Sequence, residues 1–287
     1  MNIYRSLFVI MSLVVLSVTF SVSKAESLKL NMVFVPASEK GDDQDYVNLI
    51  KIIEDLTGIE ITPIRVTDYN AAVEAVRANR AQIAWYGGKT YIQAVEIANV
   101  EAFAAGVRKG DTDASYFAYF VVREDSDLKM LADVKGKKLA LNSIGSTSGD
   151  LIPQVELVKA GLSVKNKDDF QNVHYAGSHD ACLLAVINKH VDVCGMSSRN
   201  FDARIADGTI KLDQVRIIHR SSPVPPPPLA YSKNLPLEVR NKIKVATLEA
   251  HKYGKIGGYG GEMSHYIEVT DSDYDVLRAV DELLNSQ

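Results

Sequence analysis

The chain has 287 residues, of which 46% are apolar and 8% aromatic, and its formal net charge is −4 at pH 7. That length and apolar content suit two packed lobes of helix and sheet and exclude a disordered chain. The mildly acidic, evenly mixed charge argues against nucleic acid or an anionic membrane as a partner, so any anion site must be local.

Residues 1–25 predict a cleaved secretory signal peptide. Arg5 precedes an apolar run from Leu7 to Val22, and the small residues Ser23 and Ala25 follow it. The run is too short for a good spanning helix, although an uncleaved anchor is the alternative. We therefore predict a periplasmic protein, and the absence of a lipobox cysteine from this segment favours a free mature chain.

The first half of the mature chain predicts a β-α-β-α-β unit. Strands are expected at 28–35, 59–66 and 82–86, and they alternate with helices at 46–57 and 69–79. Such a rhythm implies parallel strands joined by crossover helices. Two further strands follow, at 102–107 and 115–122.

The rhythm then restarts in a second α/β unit. Its expected elements are a strand at 138–141, a helix after Ser148, a strand at 173–176, a helix at 180–188 and a strand at 191–194. The strand 216–219 and the proline-rich run 221–228 are expected to return the chain to the first unit. Helices at 237–253 and 273–284 then complete that unit.

The predicted fold is therefore α/β, with two discontinuous lobes, mixed sheets flanked by helices and a ligand cleft between the lobes. Lobe 1 is expected to comprise residues 26–120 and 226–287, and the inserted lobe 2 residues 121–225. In open α/β sheets ligands bind at the carboxyl ends of strands.

Two predicted helix starts lie at such strand ends. Ser146, Thr147 and Ser148 open one helix, and Ser178 and His179 open another. Helix N-termini present unpaired N–H groups and the positive end of the helix dipole, which favours a small tetrahedral anion. Hydroxyl residues also cap helices everywhere, so only the pairing of the two motifs makes the anion site specific.

Metal binding, catalysis and nucleotide binding have weaker support in the sequence. Cys182 and Cys194 are expected to be free buried thiols, and no second spaced pair indicates a metal site. His179 and Asp180 are neighbours on one helix start and no strained Gly-x-Ser-x-Gly turn occurs, so catalysis is not expected. The glycine-rich run 257–261 lacks nucleotide-loop spacing and predicts a flexible loop.

Five segments together resemble the periplasmic phosphate/phosphite/phosphonate-binding proteins of ABC importers. The segments are Tyr69–Arg77, Ile83–Gly87, Ser146–Gly149, Gly177–Ala181 and Ala185–Asp192. The resemblance runs from about Leu28 to Leu277. It implies a type II periplasmic binding protein that closes around its ligand and hands it to a membrane permease, without a cofactor and without turnover.

The resemblance also implies which side chains hold the ligand. The set is Tyr86, Ser146, Thr147, Ser148, His179, Asp180 and Tyr46. The Tyr86 phenol is expected to turn toward the cleft, and Tyr46 to close the site from lobe 1. Asp180 is expected either to accept a hydrogen bond from a protonated ligand oxygen or to be a helix N-terminal charge.

The chain departs from family members that take aminoalkylphosphonates. Those proteins place acidic residues where this chain has Ser197–Asn200 and Pro225–Pro228. An ammonium buried without a partner is costly, so a ligand with an amine should be rejected. The expected ligand is phosphite first, then methylphosphonate, hypophosphite or phosphate.

Two other functions are kept as alternatives. A periplasmic sensor subunit could present an oxyanion such as arsenite to a membrane histidine kinase, and it would need a soft thiol in the cleft, for which Cys182 is the candidate. An enzyme is the third class. A monomer is the default oligomeric state, and nucleic acid is not an expected partner.

Overall fold

A computed structural model describes residues 27–38 and 45–286, so the predicted signal peptide lies outside the described residues. The described strands, in chain order, are β1 (Lys29–Phe34), β2 (Glu60–Arg65), β3 (Ile83–Trp85), β4 (Val100–Arg108), β5 (Ala118–Arg123), β6 (Lys137–Leu141), β7 (Phe170–Tyr175), β8 (Val193–Ser197), β9 (Val215–Arg220), β10 (Leu229–Ser232), β11 (Ile256–Gly258) and β12 (Gly261–Ile267). The helices are α1 (Val47–Thr57), α2 (Tyr69–Arg77), α3 (Gly88–Ala98), α4 (Ile152–Lys159), α5 (His179–Ile187), α6 (Ser198–Ala206), α7 (Leu237–Glu249) and α8 (Asp275–Asn285).

The strands form two mixed sheets. The first has the order β11-β12-β4-β10-β3-β1-β2, and the second β7-β6-β8-β5-β9. In the first sheet β1 runs parallel to β2 and β3, whereas β10 is antiparallel to β3 and β4. In the second, β6 runs parallel to β7 and β8, and β5 is antiparallel to β8 and β9. The α/β class, the mixed sheets and the helices that flank them agree with the sequence prediction.

Local chemistry explains where the first helices begin and end. α1 stops at Gly58, which adopts the left-handed conformation with φ of 70° and donates its N–H to the Glu54 carbonyl. The Asp68 side chain caps α2 by accepting a hydrogen bond from the Ala71 N–H at 2.8 Å. These signals hold the helices between parallel strands, as the β-α-β-α-β pattern predicted.

The chain crosses between the sheets twice, between β4 and β5 and between β9 and β10. The two crossing segments pair with each other, because Tyr116 and Val224 exchange backbone hydrogen bonds of 3.2 and 2.8 Å. The division into lobes at 120/121 and 225/226 stays a prediction; β5 starts at Ala118, within the second sheet. We call the part built on the first sheet lobe 1 and the part built on the second lobe 2.

Two segments differ from expectation. The glycine-rich run is not a flexible loop: β11 and β12 form a tight hairpin in which Gly258 pairs with Gly261. A Cβ at Gly257 would lie 2.0 Å from the Asp45 carbonyl oxygen, so the close packing of this hairpin on the start of α1 requires glycine.

Cys182 and Cys194 are joined in a disulfide, contrary to the expected free thiols. α5 packs on β8 and brings the two Cα atoms to 5.8 Å, a normal separation for a disulfide. Both residues are fully buried, and export by the predicted signal peptide would bring the chain to an oxidising environment in which such bonds persist. The packing of α5 on β8 brings the two cysteines together, and their spacing along the chain did not indicate it.

Candidate functional site

The Ser146-Thr147-Ser148 motif opens a helix of unusual geometry. Ser146 is the N-cap, and its hydroxyl accepts a hydrogen bond from the Gly149 N–H at 3.1 Å. Thr147–Leu151 is a π-helical turn that continues directly into α4. Such turns are rare and occur often at functional sites, because they widen the helix and redirect side chains. All three hydroxyl residues are buried.

A second helix start faces the first. Ser178 caps α5 through a hydrogen bond from the Ala181 N–H, and His179 is the first helical residue. The His179 backbone N–H donates to the Ala37 carbonyl of lobe 1 at 3.2 Å. The start of α5 therefore lies at the boundary between the lobes, beside the Ser146 motif.

The His179 imidazole is neutral and held in one tautomer. Its Nδ1 accepts a hydrogen bond from the Ser197 N–H at 3.3 Å, so the proton is on Nε2. Complete burial lowers the pKa of His179 from 6.5 to about 3. The ring therefore acts as a hydrogen-bond donor through Nε2–H at any physiological pH.

Asn142 connects the two helix starts. Its amide nitrogen lies 3.1 Å from His179 Nε2, 3.1 Å from Ser146 Oγ and 3.2 Å from Tyr69 Oη. Two donors would meet at Nε2 in this orientation, and the Asn142 Oδ1 has no partner among the described residues. A half-turn of the amide removes the meeting of donors at Nε2, since the oxygen then accepts from His179, and it places the amide nitrogen where Oδ1 had no partner.

Gly149 allows this cluster to close. A Cβ at this position would lie 2.3 Å from the Asn142 Cβ and 2.8 Å from the His179 Cε1. Both distances are far below van der Waals contact, so only glycine lets the imidazole and the amide approach the helix start. The glycine that follows the hydroxyl motif is thus part of the site.

The two helix starts border one cavity between the lobes. Its atom-free space is about 220 Å³. The lining residues are Val35, Ala37, Tyr69, Trp85, Gly87, Tyr116, Ser146, Thr147, Ser148, His179, Pro227 and Tyr259. Among these side chains none is charged, because the imidazole is neutral.

Tyr116 lines the cavity together with the hydroxyl motif. Burial raises the pKa of its phenol, and the nearby Ser148 and Thr147 hydroxyls partly offset that rise. The aromatic wall continues through Trp85 and Tyr259, whose ring centroids lie 4.9 Å apart. Hydroxyl groups thus cover one side of the cavity, and aromatic or aliphatic groups the other.

Contacts across the boundary hold the lobes closed. The Lys89 backbone N–H donates to Thr147 Oγ1 at 2.9 Å, and the Thr90 hydroxyl donates to the Gly145 carbonyl at 2.9 Å. Lys89 Nζ also forms an ion pair with Asp150 Oδ2 at 2.8 Å. The start of α3 in lobe 1 therefore contacts the π-helical turn of lobe 2 directly.

The predicted site residues divide into two groups. Ser146, Thr147, Ser148 and His179 come together at the cavity, as expected. Tyr86 differs from the prediction: its hydroxyl lies 3.4 Å from the Ala72 carbonyl oxygen, under α2.

Asp180 and Tyr46 also lie off the cavity wall. Asp180 Oδ1 is 3.6 Å from Arg204 Nε, so the carboxylate pairs with α6 and is a charge at the helix start. The Tyr46 ring packs on Trp85, with centroids 5.8 Å apart, and its hydroxyl accepts a hydrogen bond from the Tyr259 N–H. Tyr46 thus supports the aromatic wall from behind.

Sequence reasoning missed the remaining wall residues. Tyr116 lies in a crossing segment, and Tyr259 lies in the hairpin that was expected to be a loop. Trp85 is a core residue that also ends a strand, a common place for ligand contacts. Asn142 likewise directly follows the end of a strand, β6.

Within residues 27–38 and 45–286, no helix is long and apolar enough to span a membrane. In the same described residues no group of three or more histidine, cysteine or carboxylate side chains could hold a metal ion.

Known proteins share this fold and sequence pattern. The family model for the periplasmic substrate-binding protein of phosphonate ABC transporters matches residues 32–274. The chain is 29% identical over 211 residues to the phosphonates-binding periplasmic protein of Escherichia coli, covering 72% of this chain and 61% of that one. It is 27% identical over 278 residues to the phosphate-import protein PhnD of Mycolicibacterium smegmatis, covering 90% and 86%.

A solved structure supports the fold. PhnD1 of Prochlorococcus marinus in complex with methylphosphonate superposes with a TM-score of 0.77 at 20% identity, covering 90% of this chain and 99% of that one. A likeness at that identity shows the architecture alone. The match of the family model covers most of the chain, and on that ground the chain belongs to the periplasmic substrate-binding proteins of phosphonate ABC transporters.

Proposed function

We propose that this protein binds a small phosphorus oxyanion by lobe closure and delivers it to the permease of an ABC importer. Phosphite is the favoured ligand, followed by methylphosphonate, hypophosphite and phosphate. One observation carries the proposal: the hydroxyls of Ser146, Thr147 and Ser148 converge with the His179 imidazole on a single buried cavity.

The donors suit an anion although none is charged. Two helix starts border the cavity and bring the positive ends of their dipoles to it. Hydrogen bonds to an ionised oxygen are about twice as strong as neutral ones, and they offset its dehydration. Hydroxyls can also accept, so a ligand that keeps one proton is tolerated without a carboxylate.

The other wall favours one substituent that makes no hydrogen bonds. Val35, Ala37 and Pro227 present aliphatic groups there, beside the aromatic rings. An oxygen facing these aliphatic groups would lose its hydration without compensation, whereas a P–H hydrogen or a small methyl group loses nothing. This argument ranks phosphite and methylphosphonate above phosphate and sulfate. Relatives named for phosphonates and for phosphate import fit the same chemical class.

A ligand with an amine should be rejected. No carboxylate lies among the described residues that line the cavity, so a ligand ammonium would find no counter-charge. The Arg199 guanidinium lies 5.9 Å from the centroid of the cavity-lining Tyr116 ring and donates to the Ala114 carbonyl. This cation would repel a ligand ammonium. Asp180, paired with Arg204, contributes no acceptor to this selection.

The mechanism is closure around the ligand without any bond being made or broken. In the open form the Ser146 motif and the aromatic wall face water on separate lobes. The anion bridges them, and contacts such as Lys89 to Asp150 then stabilise the closed form that a permease would recognise. A monomer released by signal-peptide cleavage completes the proposal.

The arsenite-sensor alternative lacks the free thiol that it requires. Arsenite capture would need a free thiol in the cleft, but Cys182 is buried in the disulfide with Cys194. We therefore do not favour an arsenite sensor.

Calorimetric titration of unfolded, dialysed and refolded protein tests the proposal. We expect phosphite to bind with a micromolar dissociation constant, about −8 kcal/mol, with methylphosphonate next. 2-Aminoethylphosphonate, sulfate and arsenite should bind at least 100-fold more weakly, and no ligand should be turned over. The absence of binding by every phosphorus oxyanion, or equal binding of sulfate, would refute the proposal.

A further inference from the structure

Trp85, the only tryptophan in the chain, lies on the cavity wall. It is the last residue of β3 and is 2% exposed. Its ring is fixed between Tyr46 and Tyr259, with centroid distances of 5.8 and 4.9 Å. The indole is therefore rigid, and it belongs to lobe 1, across the cavity from the hydroxyl motif.

The indole N–H is buried without a partner. Among the described residues, Trp85 Nε1 makes no hydrogen bond. An unpaired buried donor costs free energy, and native structures almost always satisfy such groups or use them. The neighbouring aromatic and aliphatic side chains of this wall offer no carbonyl or carboxylate in its place.

We propose that the Trp85 indole N–H is a ligand-binding group that donates a hydrogen bond to one oxygen of the bound anion. This inference deepens the proposed function and rests on it. The bond gives lobe 1 its own direct contact with the ligand, whereas the serine and threonine hydroxyls contact it from lobe 2.

The chemistry of this donor adds a selection rule. Indole N–H can donate but cannot accept, whereas a hydroxyl can do both. The ligand must therefore present an ionised oxygen to Trp85, and any proton on the ligand must face the hydroxyls of Ser146–Ser148. A fully protonated, neutral oxyacid would meet the indole with a weaker acceptor and should bind poorly.

The competing interpretation is an N–H···π contact with the Tyr259 ring, which would satisfy the indole without a ligand. The two differ in what happens to the N–H when the anion enters. A hydrogen bond to an ionised oxygen moves the indole proton resonance downfield, whereas a pre-existing ring contact leaves it unchanged.

NMR of ¹⁵N-labelled wild-type protein makes the distinction, because a single tryptophan gives a single indole cross-peak. The ligand-free protein is titrated with phosphite and, separately, with methylphosphonate, while calorimetry follows binding. We expect a downfield shift that saturates at the calorimetric stoichiometry. Binding with an unmoved indole proton would overturn the inference and leave the proposed function standing.

A substitution provides the second arm. Trp85→Phe keeps an aromatic ring and removes the N–H, and we expect a 10- to 100-fold weaker affinity for phosphite. Tyr86→Phe is the matched control, since that hydroxyl points to Ala72 and its loss should leave affinity within twofold. Wild-type affinity in Trp85→Phe would overturn the inference.

The NMR titration and the Trp85→Phe substitution also distinguish a failure of this inference from a failure of the proposed function. If Trp85→Phe does not fold, as judged by circular dichroism, the wild-type NMR titration alone decides. If no phosphorus oxyanion binds the wild type at all, the proposed function fails and this inference fails with it.

Discussion

Lys89 and Asp150 form an ion pair across the lobe boundary, with 2.8 Å between Nζ and Oδ2. The carboxylate is 1% exposed and also accepts hydrogen bonds from Tyr175 Oη and Gln154 Nε2. Asp150 lies in the same π-helical turn as Thr147 and Ser148. The pair therefore ties lobe closure to the turn that carries the proposed ligand hydroxyls.

Removal of this pair should weaken closure. For Lys89→Met we expect a loss of about 1.5–3 kcal/mol in the free energy of unfolding, because a buried carboxylate loses a charged partner. Urea unfolding measures the loss, and calorimetry should show weaker phosphite binding.

The control is Lys51→Met, which breaks an exposed pair with Asp55 and should change stability by less than about 0.5 kcal/mol. Equal effects of the two substitutions would contradict an inter-lobe role for Lys89.

Tyr116 should be a determinant of affinity that sequence reasoning did not find. It lines the same cavity as Thr147 and Ser148, so Tyr116→Phe removes a hydroxyl that a bound anion would contact. We expect about tenfold weaker phosphite binding, equivalent to one hydrogen bond of about 1.4 kcal/mol. Tyr231→Phe makes the same change in a buried ring stacked on Phe103, and calorimetry should find its affinity unchanged.

His179 should make stability depend on pH. Burial lowers its folded pKa from 6.5 to about 3, so below pH 6.5 the unfolded chain binds a proton that the folded protein excludes. Stability is thus full above pH 6.5 and falls toward pH 3, by up to about 1.4 kcal/mol per pH unit from this residue. Chemical unfolding across this range should give a shallower slope for His179→Gln, and identical slopes would refute the buried neutral imidazole.

The disulfide should stabilise lobe 2. It closes a loop with a sequence separation of 12, for which chain entropy predicts about 3 kcal/mol. Cys182→Ala/Cys194→Ala should lose that amount in thermal or urea unfolding and become insensitive to reductant. Alkylation of the wild type in denaturant, without reductant, should label no cysteine; two labelled thiols would show that the bond does not form.

Some of the fold and site could be predicted because their signals are local. The alternating strands and helices from Leu28 to Tyr86 follow from apolar periodicity and from the stop at Gly58. The hydroxyl motif and His179 were identifiable because a helix start after a strand is a general anion site. These features depend on neighbours within one turn or one strand.

The different placement of Tyr86 and Trp85 has one physical cause. Successive residues at a strand end point to opposite faces, so a shift of one residue exchanges the core side chain and the cavity side chain. The sequence pattern offered no means to choose between two adjacent aromatic residues. Packing against α2 made the choice, by drawing the Tyr86 hydroxyl toward Ala72.

The sequence by itself determined the α/β class, the repeated crossover units and the two polar helix starts, since short-range periodicity and capping encode them. Only the tertiary structure decided the disulfide, the aromatic wall of Trp85, Tyr116 and Tyr259, and the withdrawal of Asp180 to Arg204. Those features join residues far apart in the chain, and their distances depend on how the two sheets and their crossing segments pack together.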